Sequence, residues 1–180
     1  MISIIFDSET TGLLLPSVVP VEKQPRIIEI ACVVCEGAEI LHQYVQLVDP
    51  EMRLPPIITK ITGLKDADLV GAPKWREVAT HIATYFAMAQ RAVAHNLDFD
   101  YHMINNEMRR MDPAAVFPWP KGLVCTIQAY IHLKGKWLKQ GALYEHFMKK
   151  PQAKSHRAMD DVLALHECLV AAKFFEEPPV

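Results

Sequence analysis

The sequence predicts an α/β fold in which helices pack on a mixed sheet. Three observations support this class: apolar strand-like runs dominate the first fifty residues, helical stretches dominate the remainder, and one more short strand lies among those helices. Hydrophobic residues make up 51% of the chain and charged residues 22%, which is typical of a globular protein. Because this length suits one core, we expect residues 1–180 to form a single domain.

Three strands are predicted at the start of the chain. Residues 2–6 form a short apolar run, which is typical of a buried central strand. Residues 14–25 contain three prolines and are predicted to be a loop. Residues 26–35 and 40–48 are the second and third strands, with Glu36 and Gly37 at the turn between them.

The rest of the chain is predicted to be mostly helical. Prolines near both ends of residues 50–73 predict an irregular segment there. An amphipathic helix is predicted over residues 75–87, because Trp75, Val78, Ile82 and Phe86 recur at helical spacing. Residues 92–94 form a short strand, and further helices are predicted near residues 100–110, 126–133, 140–149 and 157–175.

Two cysteines, Cys32 and Cys35, form a CxxC pattern that is also found in zinc and redox sites. No second pair accompanies them in the sequence, and they lie in a strand whose alternation points them to opposite faces. We therefore expect both to be core residues. The sequence has no transmembrane run, and the apolar N-terminus reads as a strand and not as a signal peptide, so we expect a cytoplasmic protein without a membrane partner.

The charge is unevenly distributed along the chain. The net charge is −2, which does not indicate a basic nucleic-acid binder, but residues 121–157 carry +7 and the remainder −9. We predict that this basic segment guides phosphates, that Lys149 and Lys150 contact them, and that Trp137 stacks on a base. A solvated helical surface is the equally weighted alternative. The basic residues of the segment are Lys121, Lys134, Lys136, Lys139, Lys149, Lys150, Lys154 and Arg157.

Asp7 and Glu9, in the segment FDSETTGL, are the first candidate metal ligands. Side chains two residues apart on a strand share a face, so both carboxylates can meet the same ion. Mg²⁺ prefers oxygen ligands and keeps several waters, so a few carboxylates and a substrate phosphate suffice to hold it. The turn at residues 10–12 ends in a glycine, which lets the backbone approach a substrate closely.

A second candidate ligand is Asp100, in the segment AHNLDFD. It follows a short strand and lies at the start of a predicted helix, where a carboxylate also stabilises the helix dipole. Asp98 is an alternative ligand two residues earlier. His95 and Asn96 hold the intervening loop in this interpretation, and Asn96 is also a candidate substrate contact.

The third candidate pair is His156 and Asp161, in the segment SHRAMDD. If Ser155 or His156 caps the last helix, Asp161 lies in its second turn and faces the sheet edge. Asp160 is expected to face outward. A histidine in the preceding loop suits a general base, since its charge changes near neutral pH. Four carboxylates and one imidazole together indicate a two-metal site that cleaves phosphodiester bonds.

These segments, in this order and spacing, resemble the motifs of the DEDDh family of 3′–5′ exonucleases, in particular the group of bacterial epsilon proofreading subunits. The likeness spans nearly the whole chain and includes the connecting segments RIIEIACV and VDPEMRLPPIITKITGL. It implies a ribonuclease H-like fold with a five-stranded mixed sheet flanked by helices. It also assigns the second motif's ligand to Asp100.

The resemblance further implies a role for each motif residue. Asp7, Glu9 and Asp161 would bind one divalent ion, and Asp7 and Asp100 a second, with Mg²⁺ expected and Mn²⁺ as a substitute. His156 would be the general base. Substrate-binding residues would be Thr10 and Leu13, with Leu13 packing against the terminal base, and Thr62, which occupies the position of a substrate-contacting histidine in some relatives.

We therefore predict a metal-dependent 3′–5′ exonuclease that degrades single-stranded DNA ends to nucleoside 5′-monophosphates. The alternatives are an exoribonuclease of the ribonuclease T or oligoribonuclease type and, in another class, a non-catalytic nucleic-acid-binding module. Single-stranded nucleic acid is the expected partner, with DNA favoured over RNA. A polymerase or another nucleic-acid-processing protein is a further candidate partner, although we expect no tethering tail after the last helix.

Overall fold

Five strands form one mixed sheet in the computed structural model, which describes residues 1–153 and 156–176. In chain order they are β1 (Ile2–Thr10), β2 (Ile27–Glu36), β3 (Glu39–Leu47), β4 (Arg91–Ala94) and β5 (Gly122–Cys125). The order across the sheet is β3-β2-β1-β4-β5. β2 is antiparallel to both β1 and β3, whereas β4 is parallel to both β1 and β5. The predicted five-stranded mixed sheet is therefore confirmed.

Six α-helices flank the sheet in the described residues. They are α1 (Pro56–Thr62), α2 (Trp75–Met88), α3 (Leu97–Met111), α4 (Thr126–Ala129), α5 (Gln140–Met148) and α6 (Ala158–Ala171). Short 3-10 turns lie at Val21–Lys23, Asp66–Leu69 and Ile131–Leu133. Within the described part of the chain, none of the helices combines the length and apolar character that crossing a bilayer requires.

The alternation of β1 divides the core into two layers. Ile4 and Phe6 face the layer that includes the buried side of α2 and part of α3. Ile5 faces the opposite layer, which α5 and α6 cover. Asp7 and Glu9 continue the Ile5 face beyond the predicted end of the strand, because β1 pairs with β2 as far as Thr10. The end of β1 therefore carries its two acidic side chains toward α6.

The two cysteines of the CxxC pattern lie on opposite faces of β2. Cys32 belongs to the α2 layer and Cys35 to the α6 layer, and both are buried and free. Burial raises the pKa of the Cys32 thiol to about 12 and that of Cys35 to about 11. Both side chains are core residues, as predicted.

The prediction of an irregular segment at residues 50–73 was wrong, because α1 lies within it. Pro56 occupies the first turn of this helix, where a missing N–H costs nothing. Gly63 ends the helix in a left-handed conformation at φ 76°. The prolines therefore mark a helix start here and not a break. Strand β5 was also missed by periodicity, because it contains only four residues.

The predicted cap of the last helix needs correction. Ser155 lies outside the described residues, and the residue that precedes the first turn is Arg157, whose own side chain does not cap the helix. Asp161 consequently lies in the first turn of α6 and not in the second. From the first turn, Asp161 brings one carboxylate oxygen within 4.8 Å of oxygens of Asp7 and Glu9.

Candidate active site

Three carboxylates meet where the end of β1 faces the start of α6. Asp7 and Glu9 come from β1 and Asp161 from α6, and one oxygen of each lies within 4.8 Å of the others. None of the ion pairs in the described residues involves these three side chains. The arrangement offers several oxygen ligands to one cation, and oxygen is the donor that Mg²⁺ and Mn²⁺ prefer.

Crowding of like charges makes this cluster unfavourable without a cation. Loss of hydration and the neighbouring carboxylates, Asp100 above all, hold the pKa of Asp7 well above its ordinary value. Burial and the charges of Asp161 and Glu29 raise the pKa of Glu9 to about 8. Burial also raises the pKa of Asp161 to about 6. A bound dication would remove these penalties, which makes the cluster a fitting metal site.

Asp100 reaches the same strand from the opposite layer. It lies in the first turn of α3 and is only 2% exposed, whereas Asp98 is exposed. Its Oδ1 accepts hydrogen bonds from the Ser8 backbone N–H at 3.1 Å and from the Ser8 hydroxyl at 2.5 Å. Burial raises the pKa of Asp100 and the hydrogen bonds from Ser8 lower it. Burial is the larger effect, so the pKa is about 7. The structure thus places Asp100, and not Asp98, beside Asp7.

Two glutamines fix the orientation of Asp161. The side-chain amide of Gln152 donates to Asp161 Oδ1 at 2.6 Å. The amide of Gln140, at the start of α5, donates to the Asp161 backbone carbonyl at 2.8 Å and approaches Oδ1 at 3.5 Å. These hydrogen bonds hold Asp161 in place while one of its oxygens lies within 4.8 Å of oxygens of Asp7 and Glu9.

An ion pair between the buried Glu29 and the exposed Arg157 ties the start of α6 to the sheet. Glu29 on β2 is 1% exposed and lies directly opposite Glu9 in the antiparallel register. Its carboxylate accepts from Arg157 Nε at 3.1 Å, from Arg157 Nη2 at 2.6 Å and from the Ala158 backbone N–H at 3.0 Å. Glu29 therefore caps α6 in place of a local side chain, and it fixes the residue that directly follows His156.

His156 borders a cleft of about 710 Å³ together with Asp7 and Asp161. It is exposed in the segment that leads into α6, so its ring is accessible to solvent. Four of the five predicted catalytic residues thus lie close together, and Asp100 adjoins them through Asp7.

The predicted contacts to the terminal nucleotide lie at the end of β1 and in α1. Thr10 is buried, and its hydroxyl donates to the Gly12 carbonyl at 2.8 Å. Leu13 is 81% exposed directly after this turn. The hydroxyl of Thr62 donates to the Ile58 carbonyl of its own helix at 2.9 Å, so it is occupied within α1.

The other predicted substrate contacts are exposed. Asn96 precedes α3 in a left-handed conformation and makes no side-chain capping bond. Lys149 ends α5, and its Nζ donates to the His146 carbonyl at 2.6 Å. Lys150 Nζ lies 6.0 Å from the centre of the Tyr144 ring. Within the described residues, neither lysine lines the cleft that contains His156.

Several supporting residues were missed at the level of sequence. Glu29 had a usable signal, because it is the single charged residue within the apolar run IIEIACVV, and buried acids are paired. Ser8, Gln140 and Gln152 gave none, since their partners lie on other elements. Arg157 adjoins His156 in sequence, but its pairing with Glu29 spans 128 residues.

A model of the RNase T family, described as Exonuclease, matches residues 4–169. Among curated relatives, the DNA polymerase III epsilon subunit of Treponema pallidum is 33% identical over 103 residues, which cover 57% of this chain and 44% of that protein. The PolC-type DNA polymerase III of Staphylococcus aureus is 29% identical over 165 residues, or 89% of this chain and 10% of that protein. The chain therefore spans less than half the length of either relative.

Solved structures show the same architecture. Exonuclease X in complex with 5′ overhanging duplex DNA has a TM-score of 0.69 and 25% identity, over 98% of this chain and 94% of that one. The nuclease domain of 3′hExo, described as a DEDDh family member bound to rAMP, has a TM-score of 0.76 and 16% identity, over 96% and 92% of the two chains. The predicted ribonuclease H-like fold is therefore confirmed.

Proposed function

Because the chain belongs to the RNase T exonuclease family, we propose that it removes nucleotides from the 3′ end of single-stranded DNA and releases nucleoside 5′-monophosphates. The observation that carries this proposal is the meeting of three carboxylates from two elements, two of which line a cleft together with an exposed histidine. Such a set suits hydrolysis of a phosphodiester bond.

The carboxylates fit two divalent ions. Asp7, Glu9 and Asp161 would hold one, and Asp7 and Asp100 would hold the other, since Asp7 stands between both groups. Mg²⁺ is the proposed ion and Mn²⁺ the substitute, because all the donors are carboxylate oxygens. When bound, the ions supply positive charge to the attacking and leaving oxygens of the reaction.

His156 is the proposed general base. Its ring nitrogen takes a proton from the water that attacks the scissile phosphorus. The bond from phosphorus to the 3′ oxygen of the upstream strand then breaks, and that oxygen takes up a proton from solvent to become the new 3′ hydroxyl. The phosphate stays on the terminal nucleotide, which leaves as a 5′-monophosphate. The Glu29–Arg157 pair holds the residue next to His156, so the base stays near Asp161 as substrate enters.

Thr10 and Leu13 are proposed to hold the terminal nucleotide. Leu13 supports this role because an 81% exposed leucine, four residues after Glu9 in the sequence, offers an apolar face to a base. Thr62, Asn96, Lys149 and Lys150 are further proposed contacts, and exposure of the last three supports them. DNA is proposed over RNA, since Exonuclease X was solved with DNA and the two relatives are DNA polymerase III proteins.

A product assay tests the proposal. Single-stranded DNA and RNA of matched sequence, each labelled at the 5′ end, are incubated with the protein and Mg²⁺ or Mn²⁺. We expect a ladder that shortens from the 3′ end, 5′-monophosphates by mass spectrometry, and faster loss of DNA than of RNA. Faster loss of RNA than of DNA would show that RNA is the preferred substrate. Rapid cutting of closed single-stranded circles would show that the protein is an endonuclease.

The role of His156 is tested in the same assay. His156→Ala should lower turnover by roughly 10²–10⁴-fold, which is the usual contribution of a positioned base. Metal affinity, measured by calorimetry, should stay at the wild-type value. Loss of metal affinity in this variant would make His156 a ligand instead.

A further inference from the structure

A short basic segment forms one wall of the cleft that contains His156. We call residues 134–139, with the sequence KGKWLK, the basic strap. It connects the 3-10 turn at Ile131–Leu133 to the start of α5. Trp137 is 71% exposed and lines the same cleft as Asp7 and Asp161. Trp137 therefore presents a large, flat aromatic face to solvent at the cleft, and a nucleic-acid base can stack on such a face.

The strap is anchored and not loose. Leu138, the neighbour of Trp137, is 7% exposed and packs in the α6 layer of the core. Its backbone carbonyl lies 3.0 Å from His95 Nε2, which must donate because a carbonyl only accepts. His95 Nδ1 then accepts from the Thr126 hydroxyl at 2.9 Å. The strap is thereby tied to the ends of β4 and β5, with Trp137 held outward.

Charge complements the aromatic side chain. Lys134, Lys136 and Lys139 line the cleft beside Trp137, while Glu145 lines it as the one acidic residue outside the cluster of Asp7 and Asp161 among the described lining residues. The cleft therefore has an acidic floor and a basic wall. A phosphate chain that reaches the floor runs along the wall, because the wall offers the positive charge that the floor lacks.

We propose that the basic strap is a second subsite for single-stranded nucleic acid, in which Trp137 stacks on a base upstream of the terminal nucleotide and the three lysines contact the adjoining phosphates. This inference rests on the proposed function and extends it to the body of the strand. Stacking on one aromatic face tolerates any base, so the subsite holds strands without reading their sequence. Lysines bind phosphates as point charges, which is equally independent of sequence.

Tryptophan fluorescence tests the contact without relying on activity. The chain has three tryptophans, of which Trp75 is buried, Trp119 is half-buried and Trp137 is exposed. Titration of the inactive variant Asp7→Asn with a 12-nucleotide oligothymidylate should quench the emission. The quenching should disappear in Asp7→Asn/Trp137→Phe. Equal quenching in both proteins, or none in either, overturns the proposed stacking.

Kinetics on two substrate lengths separate the strap from the catalytic site. Trp137→Ala should raise KM for a 12-nucleotide strand by roughly 5- to 100-fold, the usual worth of one stacked base, with little change in kcat. Trp137→Phe should restore most of the loss because it keeps an aromatic face. Hydrolysis of a dinucleotide should be unchanged, since it does not extend to the strap. Unchanged KM for the long strand overturns the inference.

Salt dependence tests the lysines. Lys136→Gln/Lys139→Gln should reduce the slope of log affinity against log salt for the 12-nucleotide strand by about 1. The matched control is Lys121→Gln/Lys173→Gln, because both lysines are exposed and lie before β5 and after α6, away from the cleft. Equal slopes in the two double variants overturn the phosphate contacts. If the wild type hydrolyses neither the 12-nucleotide strand nor the dinucleotide, the proposed function is wrong. The fluorescence titration still shows whether Trp137 stacks on a base.

Discussion

Two groups of buried carboxylates in this molecule are treated in opposite ways. Glu107 on α3 is 2% exposed, and its Oε1 accepts hydrogen bonds from Arg26 Nε at 2.9 Å and from the Ile27 N–H at 3.0 Å. Arg110 Nη1 lies 3.1 Å from the same oxygen and forms an ion pair with it. Asp7, Glu9 and Asp161 lie together on the other side of the sheet, and none of the described ion pairs involves them.

The difference separates paired acids, which hold the fold together, from acids that are candidate metal ligands. The fold neutralises Glu107 and Glu29 with arginines, so this sequence has the means to pair a buried carboxylate. It does not do so for the three clustered acids, which repel one another at a cost to stability. Clustered acids without an arginine or lysine partner among the described residues are typical of sites that bind a metal ion.

The largest expected effect comes from the unpaired group. Asp161→Asn should reduce hydrolysis by about 10²–10³-fold or more, because it removes a ligand that stabilises charge in the transition state. The fold should remain intact, since one repulsive charge is removed. The matched control is Asp160→Asn in the same helical turn, which should keep most of the activity. Wild-type turnover in Asp161→Asn would refute the metal site.

The paired group should respond in stability and not in turnover. Glu107→Gln leaves two guanidinium groups in a buried region without their carboxylate, which costs about 3 kcal/mol. The melting temperature should fall by roughly 6–12 °C in calorimetry. Glu51→Gln is the control, because Glu51 is an exposed partner of the same Arg26 and should change stability little. A variant that melts normally but lacks activity would place Glu107 in the site.

The smallest expected effect is the pH dependence of the metal-free protein. The pKa of Glu9 is raised to about 8, so the folded state keeps a proton that the unfolded state releases above its ordinary value of 4.5. The contribution of Glu9 to stability is therefore lost as the pH rises from about 4.5 to 8. Urea unfolding in EDTA should show this decline, and Glu9→Gln should flatten it.

Saturating Mg²⁺ should offset the same decline, because ion binding favours the deprotonated carboxylates and stabilises the folded state. Identical pH profiles for the wild type and Glu9→Gln without metal would contradict the crowding of this cluster. Identical profiles of the wild type with and without Mg²⁺ would contradict ion binding there.

Local patterns predicted the elements whose stability is local. The period of Trp75, Val78, Ile82 and Phe86 gave α2 to within one residue, and β1 was recognised from its apolar start. The continuation of β1 over Asp7 and Glu9 was not recognised. These residues are extended because they pair with β2, and their side chains give no strand pattern. Strand β5 depends in the same way on its parallel neighbour β4.

In the candidate site, too, the features encoded by local sequence were predicted and those that depend on distant residues were not. The prediction of an exonuclease from three motifs is confirmed by the family match, and the preference for DNA stays a prediction. Asp7 and Glu9 were predictable because they share one strand face. The hydrogen bond from Ser8 to Asp100 spans 92 residues and the pairing of Glu29 with Arg157 spans 128, so no local pattern encodes either contact.

The capping of α6 by Glu29 has a consequence during protein synthesis. The Glu29 carboxylate on β2 accepts a hydrogen bond from the backbone N–H of Ala158, which lies 129 residues later in the chain. His156 and Asp161 belong to the same late segment. A nascent chain on the ribosome therefore holds the two acids of β1 but neither His156, the proposed base, nor Asp161 until that segment leaves the exit tunnel. The proposed site is completed in one late step, after all five strands have been translated.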